Sequence, residues 1–277
     1  MGELEQMAKD MPQEKNKEDL EIVKEGNVKE ELKKQKTKLD LKLVSSNKIW
    51  NNIAKRVDGI REDFVLEMTK EGFRIKQTDE GNVIMLDETI PKSAFDEYKV
   101  SHNIKIGINT TRLKKHLKIY SKDITVTNGQ NKLIFKGEKG QHSKMGLIQI
   151  SDLDMDLPQI DYDVELKTPA KAIQKMITVG EDFDREELKF RVKEKLFYIF
   201  VEGETDEVRF PICKVNHLSD KKDFKTLYSI EYLKTVMKFK DKDEIVVKFG
   251  EDTPINIIYD EKDEKVELIV APRIESE

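Results

Sequence analysis

Residues 151–162 read Ser151-Asp-Leu-Asp-Met-Asp-Leu-Pro-Gln-Ile-Asp-Tyr162. Acids and apolar residues alternate as far as Leu157, and the stretch then meets Pro158. Proline pushes the residue before it toward extended geometry and gives a sheet ladder no N–H donor. The stretch is therefore an expected extended connector. The residues before it are patterned like the residues after it, so it joins two copies of one unit.

Backward from the connector, the first copy spans 39–150. Leu39, Leu41 and Leu43 alternate with Asp40 and Lys42 as in a strand. Ser46 and Asn47 open a helix to about Val57, with Ile49, Ile53, Ala54 and Val57 on one side. Strands are expected at 63–68, 72–77, 82–86 and 104–108. Asn109-Thr110-Thr111 caps a second helix carrying Leu113, Leu117 and Tyr120 at helical spacing. Strands at 123–127, 132–136 and 144–150 follow, with Asn128-Gly129 as a hairpin turn. Forward, the copy at 163–277 repeats the order. It has a strand at 163–167, a helix from Thr168-Pro169 to about Thr178, and strands at 187–192, 196–202 and 207–214. A short extended piece at 226–229, a helix at 230–240 and strands at 244–249, 255–259 and 265–270 complete it. The fold class is a duplicated, mostly antiparallel α+β unit.

Residues 1–38 are mostly Glu, Lys, Asp and Gln. They offer too little apolar surface to offset ordering entropy, so a disordered or partly helical tail is expected. Of all 277 residues, 38% are charged, well above the ~25% of ordinary soluble chains, and the net charge is -5. No run approaches the ~18 apolar residues of a membrane span, and no signal peptide or membrane partner is expected. The single cysteine, Cys213, leaves no intrachain disulfide and fits a reducing compartment.

The positive charge is concentrated on the four expected helices. The first carries Lys48, Lys55 and Arg56 beside Asn51 and Asn52; the second carries Arg112, Lys114, Lys115, His116 and Lys118. The third carries Lys171 and Lys175, and the fourth Lys234, Lys238 and Lys240. Glu231 is the sole acid within these segments. Like charges four residues apart share a helix face and cost on the order of 0.2–0.5 kcal/mol per pair. An external polyanion removes that cost. One such helix reads as a solvated face, but four at equivalent places point to phosphates. Aromatic interleaving, zinc-finger spacing and recognition-helix patterns are missing, so the contact would ignore base sequence.

Together with the ending Val270-Ala271-Pro272-Arg273-Ile274-Glu275, these features resemble the DNA sliding clamps of the proliferating cell nuclear antigen family, archaeal-like in that ending. The resemblance covers about 39–277. Leu43-Val44, Val83 after Thr78-Asp79, Leu157-Pro158, Ser229-Ile230-Glu231-Tyr232-Leu233 and Thr253-Pro254-Ile255 also carry it. It implies a homotrimeric, pseudo-sixfold ring with helices inside and antiparallel sheets outside, encircling double-stranded DNA. By matching position it implies DNA contacts from Lys48, Lys55, Arg56, Lys114, Lys115, Lys118, Lys175 and Lys238. Trp50 and Asn51 depart from lysines common in relatives. It further implies a client pocket formed by Val83, Met155, Leu157, Pro158, Pro254, Ile269, Ala271, Pro272 and Ile274. DNA polymerase, clamp loader, flap endonuclease and DNA ligase would insert short motifs with apolar and aromatic anchors there. Asn82 replaces a histidine of some relatives. Subunits would join edge to edge, near Lys139 to Leu147 of one and Glu207 to Lys214 of the next, with Cys213 close by. The implied location is the cytoplasm beside the nucleoid in an archaeon, or the nucleus in a eukaryote. The same resemblance admits a subunit of a heterotrimeric or checkpoint-type clamp.

No enzymatic activity and no cofactor are expected, since phosphate-binding loop, dinucleotide fingerprint and nucleophile elbow are missing. Asp152, Asp154 and Asp156 imitate the start of a calcium loop, but Leu157 occupies the glycine position and Asp163 the glutamate position. Cys213 and His217 lack two further zinc ligands. Two rivals remain: a metal-dependent nuclease using Asp182, Asp184, Glu186 and Glu187, and a protein-only scaffold.

Overall fold

The computed structural model describes residues 41–149, 155–219, 223–240 and 243–273. The expected tail, residues 150–154 of the last first-copy strand and the connector, and Ile274 lie outside the described residues.

The first half runs β1 (Leu41–Ser46), α1 (Asn47–Val57), β2 (Asp63–Met68), β3 (Gly72–Thr78), β4 (Ile84–Pro91), β5 (Glu97–Val100), β6 (Ile104–Asn109), α2 (Thr110–Leu117), β7 (Asp123–Gly129), β8 (Lys132–Gly137) and β9 (His142–Gly146). The second runs β10 (Val164–Pro169), α3 (Ala170–Asp182), β11 (Glu187–Lys193), β12 (Leu196–Glu202), β13 (Glu207–Lys214), β14 (His217–Leu218), β15 (Asp223–Ser229), α4 (Ile230–Val236), β16 (Glu244–Phe249), β17 (Ile255–Glu261) and β18 (Glu264–Val270). The two orders match element for element, and the fold is α+β with antiparallel pairing throughout.

Pairing repeats as well. In the first half the sheets are β5-β1-β7-β8-β9 and β4-β3-β2-β6; in the second they are β14-β10-β16-β17-β18 and β13-β12-β11-β15. One further pairing, β18 with β4 from Lys265–Thr89 to Val270–Ile84, fuses two of these into a nine-stranded sheet. That leaves β9 and β13, the counterparts of β18 and β4, at sheet edges.

The helices lie on these sheets through apolar stripes. Trp50, Ile53, Ala54 and Val57 of α1 and Leu113 and Leu117 of α2 are buried. Trp50 meets Phe73 and Phe135 edge-on at 5.4 and 5.9 Å, and its indole N–H donates to Ser45 at 3.2 Å. In the second half Phe190 and Phe249 hold the corresponding centre, 5.7 Å apart.

Several expected boundaries shift. β4 continues to Pro91 where the sequence suggested an end near Leu86, and α3 continues to Asp182 rather than Thr178. β5 and β14 are not among the expected strands, because they are short edge strands, too brief for alternation to register. Helix α4 stops at Val236, not at Lys240. The Gln174 amide donates to the carbonyls of Met237 and Phe239, at 2.9 Å each, and so satisfies these groups outside the helix.

Candidate nucleic-acid interface and client groove

Side-chain caps start two of the basic helices. Ser46 accepts from the Lys48 N–H at 3.3 Å and Asn109 from the Arg112 N–H at 2.9 Å, satisfying donors that the first turn leaves open. Lys48, Lys55, Lys115 and Lys118 are exposed and have no ion-pair partner among the described residues. A cleft of about 570 Å³ is lined by Lys48, Asn51, Asn52 and Lys55 of α1 together with Lys238, Phe239 and Lys240. Lys240, a cation of the fourth helix by the sequence, stands in the loop after α4.

The other predicted cations are engaged within the chain. Lys114 pairs with Asp58 at 2.8 Å, and the Lys238 ammonium donates to the Asp58 carbonyl. Burial pushes the Lys238 ammonium below its ordinary pKa; Asp58 opposes the shift and Lys114 adds to it. Lys175 lies 4.6 Å from the centre of the Phe210 ring, a cation–π contact.

Arg56 is a correction. Its side chain is only 4% exposed, and it donates to both oxygens of Glu88, at 2.9 and 2.6 Å, and to Glu264. It ties α1 to β4 and β18 and has no face left for a phosphate. The signal was present: Arg56 is three residues past Ile53 and seven past Ile49, on the apolar side of α1.

The predicted client residues fall into two groups. Met155, Leu157, Val83, Pro254, Ala271 and Pro272 are partly exposed, and Pro158 is exposed. The Ala271 N–H donates to the Val83 carbonyl at 2.9 Å, and Asp156 pairs with Lys76 at 2.7 Å, fastening the connector to β3. Ile269, by contrast, is buried at 4% exposure. It lies near the end of β18, an interior strand between β17 and β4, where Leu268, Ile269 and Val270 are all buried. Of the rival carboxylates, Glu186 and Glu187 pair with Arg273 at 3.1 and 3.3 Å, and no cluster of metal-ligating side chains occurs among the described residues. Cys213 is half-buried on β13, and burial pushes its thiol pKa up, away from a reactive thiolate.

Residues 38–166 match the sequence profile of the family described as "Proliferating cell nuclear antigen, N-terminal domain". A DNA polymerase sliding clamp of Thermococcus onnurineus is 27% identical over 225 residues, covering 77% of this chain and 90% of that protein. The crystal structure of a proliferating cell nuclear antigen from Thermococcus kodakaraensis superimposes with a TM-score of 0.77 at 21% identity, over 84% of this chain and all of the other. The structure of A. fulgidus PCNA with the C-terminal region of FEN-1 bound gives the same TM-score and identity, over 86% of this chain and all of that one. With its second half repeating the first, element for element, the chain is similar along most of its length to the sliding clamps of the proliferating cell nuclear antigen family.

Proposed function

We infer that this chain is a DNA polymerase sliding clamp, a processivity factor that holds replication and repair proteins on duplex DNA and does no chemistry itself. The observation that carries the DNA contact is the cleft where exposed Lys48, Lys55 and Lys240 surround Asn51 and Asn52. Long lysines meet phosphates without reading bases, so the binding energy hardly changes along the duplex and the clamp slides. Lys115 is a further exposed cation, on α2.

Two clamp domains, 39–150 and 163–277, with the connector 151–162 between them, make up the proposed unit. Three copies would close a ring, β9 of one pairing with β13 of the next as β18 pairs with β4 inside the chain. Such pairing leaves no open sheet edge there. The mass in solution by light scattering tests it: three times the 32.3 kDa chain is expected, and a monomer at all concentrations would overturn the self-sufficient ring.

Clients, including polymerase, flap endonuclease and ligase, would dock on a surface formed by Met155 and Leu157 of the connector together with Val83, Ala271 and Pro272. Leu157→Ser combined with Met155→Ser is expected to weaken a client-motif peptide by at least about tenfold, since each change removes one apolar anchor. Fluorescence anisotropy reads this out, and unchanged affinity would reject the placement. Both side chains are partly exposed, so the fold should survive, unlike with any change at Ile269.

A further inference from the structure

The sheet β13-β12-β11-β15 turns one face to the helices and the other away from them. Leu188, Phe190 and Val192 of β11 and Phe197, Ile199 and Val201 of β12 are buried on the side of α3 and α4. The residues between them point to the opposite face. There β11 carries Lys189, Arg191 and Lys193, in register with Phe200, Tyr198 and Leu196 of β12. Lys225 of β15 stands opposite Arg191, and Arg209 of β13 opposite Phe200. A line of apolar side chains is thus flanked by cations, in a chain of net charge -5. Tyr198 is half-buried. Its ring lies 6.2 Å from that of Phe200 and 5.7 Å from the Arg209 guanidinium. Of the acids nearby, Glu202 pairs with Lys189, and Asp223 stands in register with Lys193.

The first half supplies an internal comparison, since β2, β3 and β4 correspond to β11, β12 and β13 in element order. On the equivalent face β3 carries Arg74 and Lys76 where β12 carries its apolar line, and β2 carries Val65 and Glu67 where β11 carries cations. Both cations of β3 are neutralised, by Asp87 at 2.8 Å and by Asp156 at 2.7 Å. The fold therefore does not require the arrangement of the second half. That arrangement also has a cost, because like charges directly opposite on neighbouring strands, as Arg191 and Lys225 are, destabilise a sheet. A bound anion removes the cost.

We propose that this face binds a single strand of nucleic acid without regard to base sequence, its phosphates along β11 and β15 and its bases over Tyr198. Alternate residues of a strand stand about 6.7 Å apart and neighbouring strands about 4.8 Å apart. Lys189, Arg191 and Lys193 thus form a ladder that successive phosphates of an extended strand can follow, with the Tyr198 ring one strand away. Bases stack on aromatic rings and on arginine planes while phosphates meet cations, which is the chemistry of sequence-tolerant single-strand binding. A duplex keeps its base faces stacked inside and gains nothing from Tyr198. An acidic peptide meets the same cations but brings no bases to lay on the Tyr198 and Arg209 planes. The face shares no residue with the lysine cleft on the helix side, so the proposal goes beyond the clamp reading and does not depend on the ring.

Fluorescence anisotropy of the full chain with labelled oligothymidylate tests this, with labelled polyglutamate as the rival anion. Lys193→Gln combined with Lys225→Gln is expected to weaken oligothymidylate about tenfold and to cut the slope of log affinity against log salt by about 1.4, since each phosphate neutralised on a single strand contributes about 0.7. Both lysines are exposed, so the circular dichroism melt should not move. Tyr198→Leu is expected to weaken oligothymidylate about fivefold or more with the slope kept, because only stacking is lost, and Tyr198→Phe should bind as wild type does. Replacing Lys48, Lys55 and Lys240 by alanine should leave oligothymidylate bound. Oligothymidylate that does not bind the wild type, or binds the double lysine variant as tightly, would overturn the proposal. Loss of oligothymidylate from the Lys48, Lys55 and Lys240 variant would place the strand on the helix side, overturning the proposal while the duplex reading stands. Polyglutamate bound as tightly as oligothymidylate, with Tyr198→Leu silent, would assign the face to acidic protein segments and overturn it as well.

Discussion

Arg56→Ala is expected to destabilise the fold by about 3–5 kcal/mol, the range for removing one partner of a buried ion pair. The Glu88 side chain is 0% exposed and Glu264 only 15%, so alanine leaves two carboxylates without the guanidinium that bridges them. The contact also spans the molecule: α1 and β4 lie in the first half and β18 in the second, 208 positions from Arg56. Its removal should therefore loosen the β4–β18 seam itself. Urea unfolding measures it, and a change below about 1 kcal/mol would show that the triad contributes no more than a surface pair does. Burial holds the Glu264 carboxyl above its ordinary pKa, Arg56 opposing and Glu88 adding. A carboxyl whose folded pKa is raised stabilises the fold below the unfolded value and loses that contribution as pH rises through the folded one. Wild type should accordingly lose stability relative to Glu264→Gln as pH climbs from about 4 through the raised value. Parallel pH profiles for the two would refute this.

The second large effect concerns DNA. Replacing Lys48, Lys55 and Lys240 together by alanine is expected to lower duplex affinity at least about tenfold and to flatten its salt dependence. Log affinity falls with log salt by about 0.9 for each phosphate neutralised on a duplex, so the slope should shrink by that amount for every phosphate the variant no longer reaches. All three side chains are exposed, and the thermal melt should not move. A slope equal to wild type, measured by titration at several salt concentrations, would place the DNA elsewhere. Lys114→Ala and Lys175→Ala should do less, because those ammonium groups already face Asp58 and the Phe210 ring.

The fate of particular residues shows how far the sequence could be read. The helix starts at Ser46–Asn47 and Asn109–Thr110 were legible because caps and apolar spacing are local properties of the chain. The basic character of the helices was legible because charge is carried by residue type. Arg56 was misplaced because position on an element says which residues share a face, not what that face meets. Arg56 looks like one more helix cation until Glu88 and Glu264 are brought to it. Lys240 was placed on the fourth helix, whereas Gln174, 63 positions before Met237, holds the carbonyls that follow α4, and the helix ends before Lys240.

The sequence by itself determined the order of the longer elements, the repeat of that order after the connector and the basic helices, because each follows from residue type at short spacing. Only the tertiary structure decided that β18 joins β4 and that Arg56 is spent inside the molecule. Those outcomes depend on contacts between residues far apart in the chain, where burial and charge pairing select among partners that local pattern cannot rank.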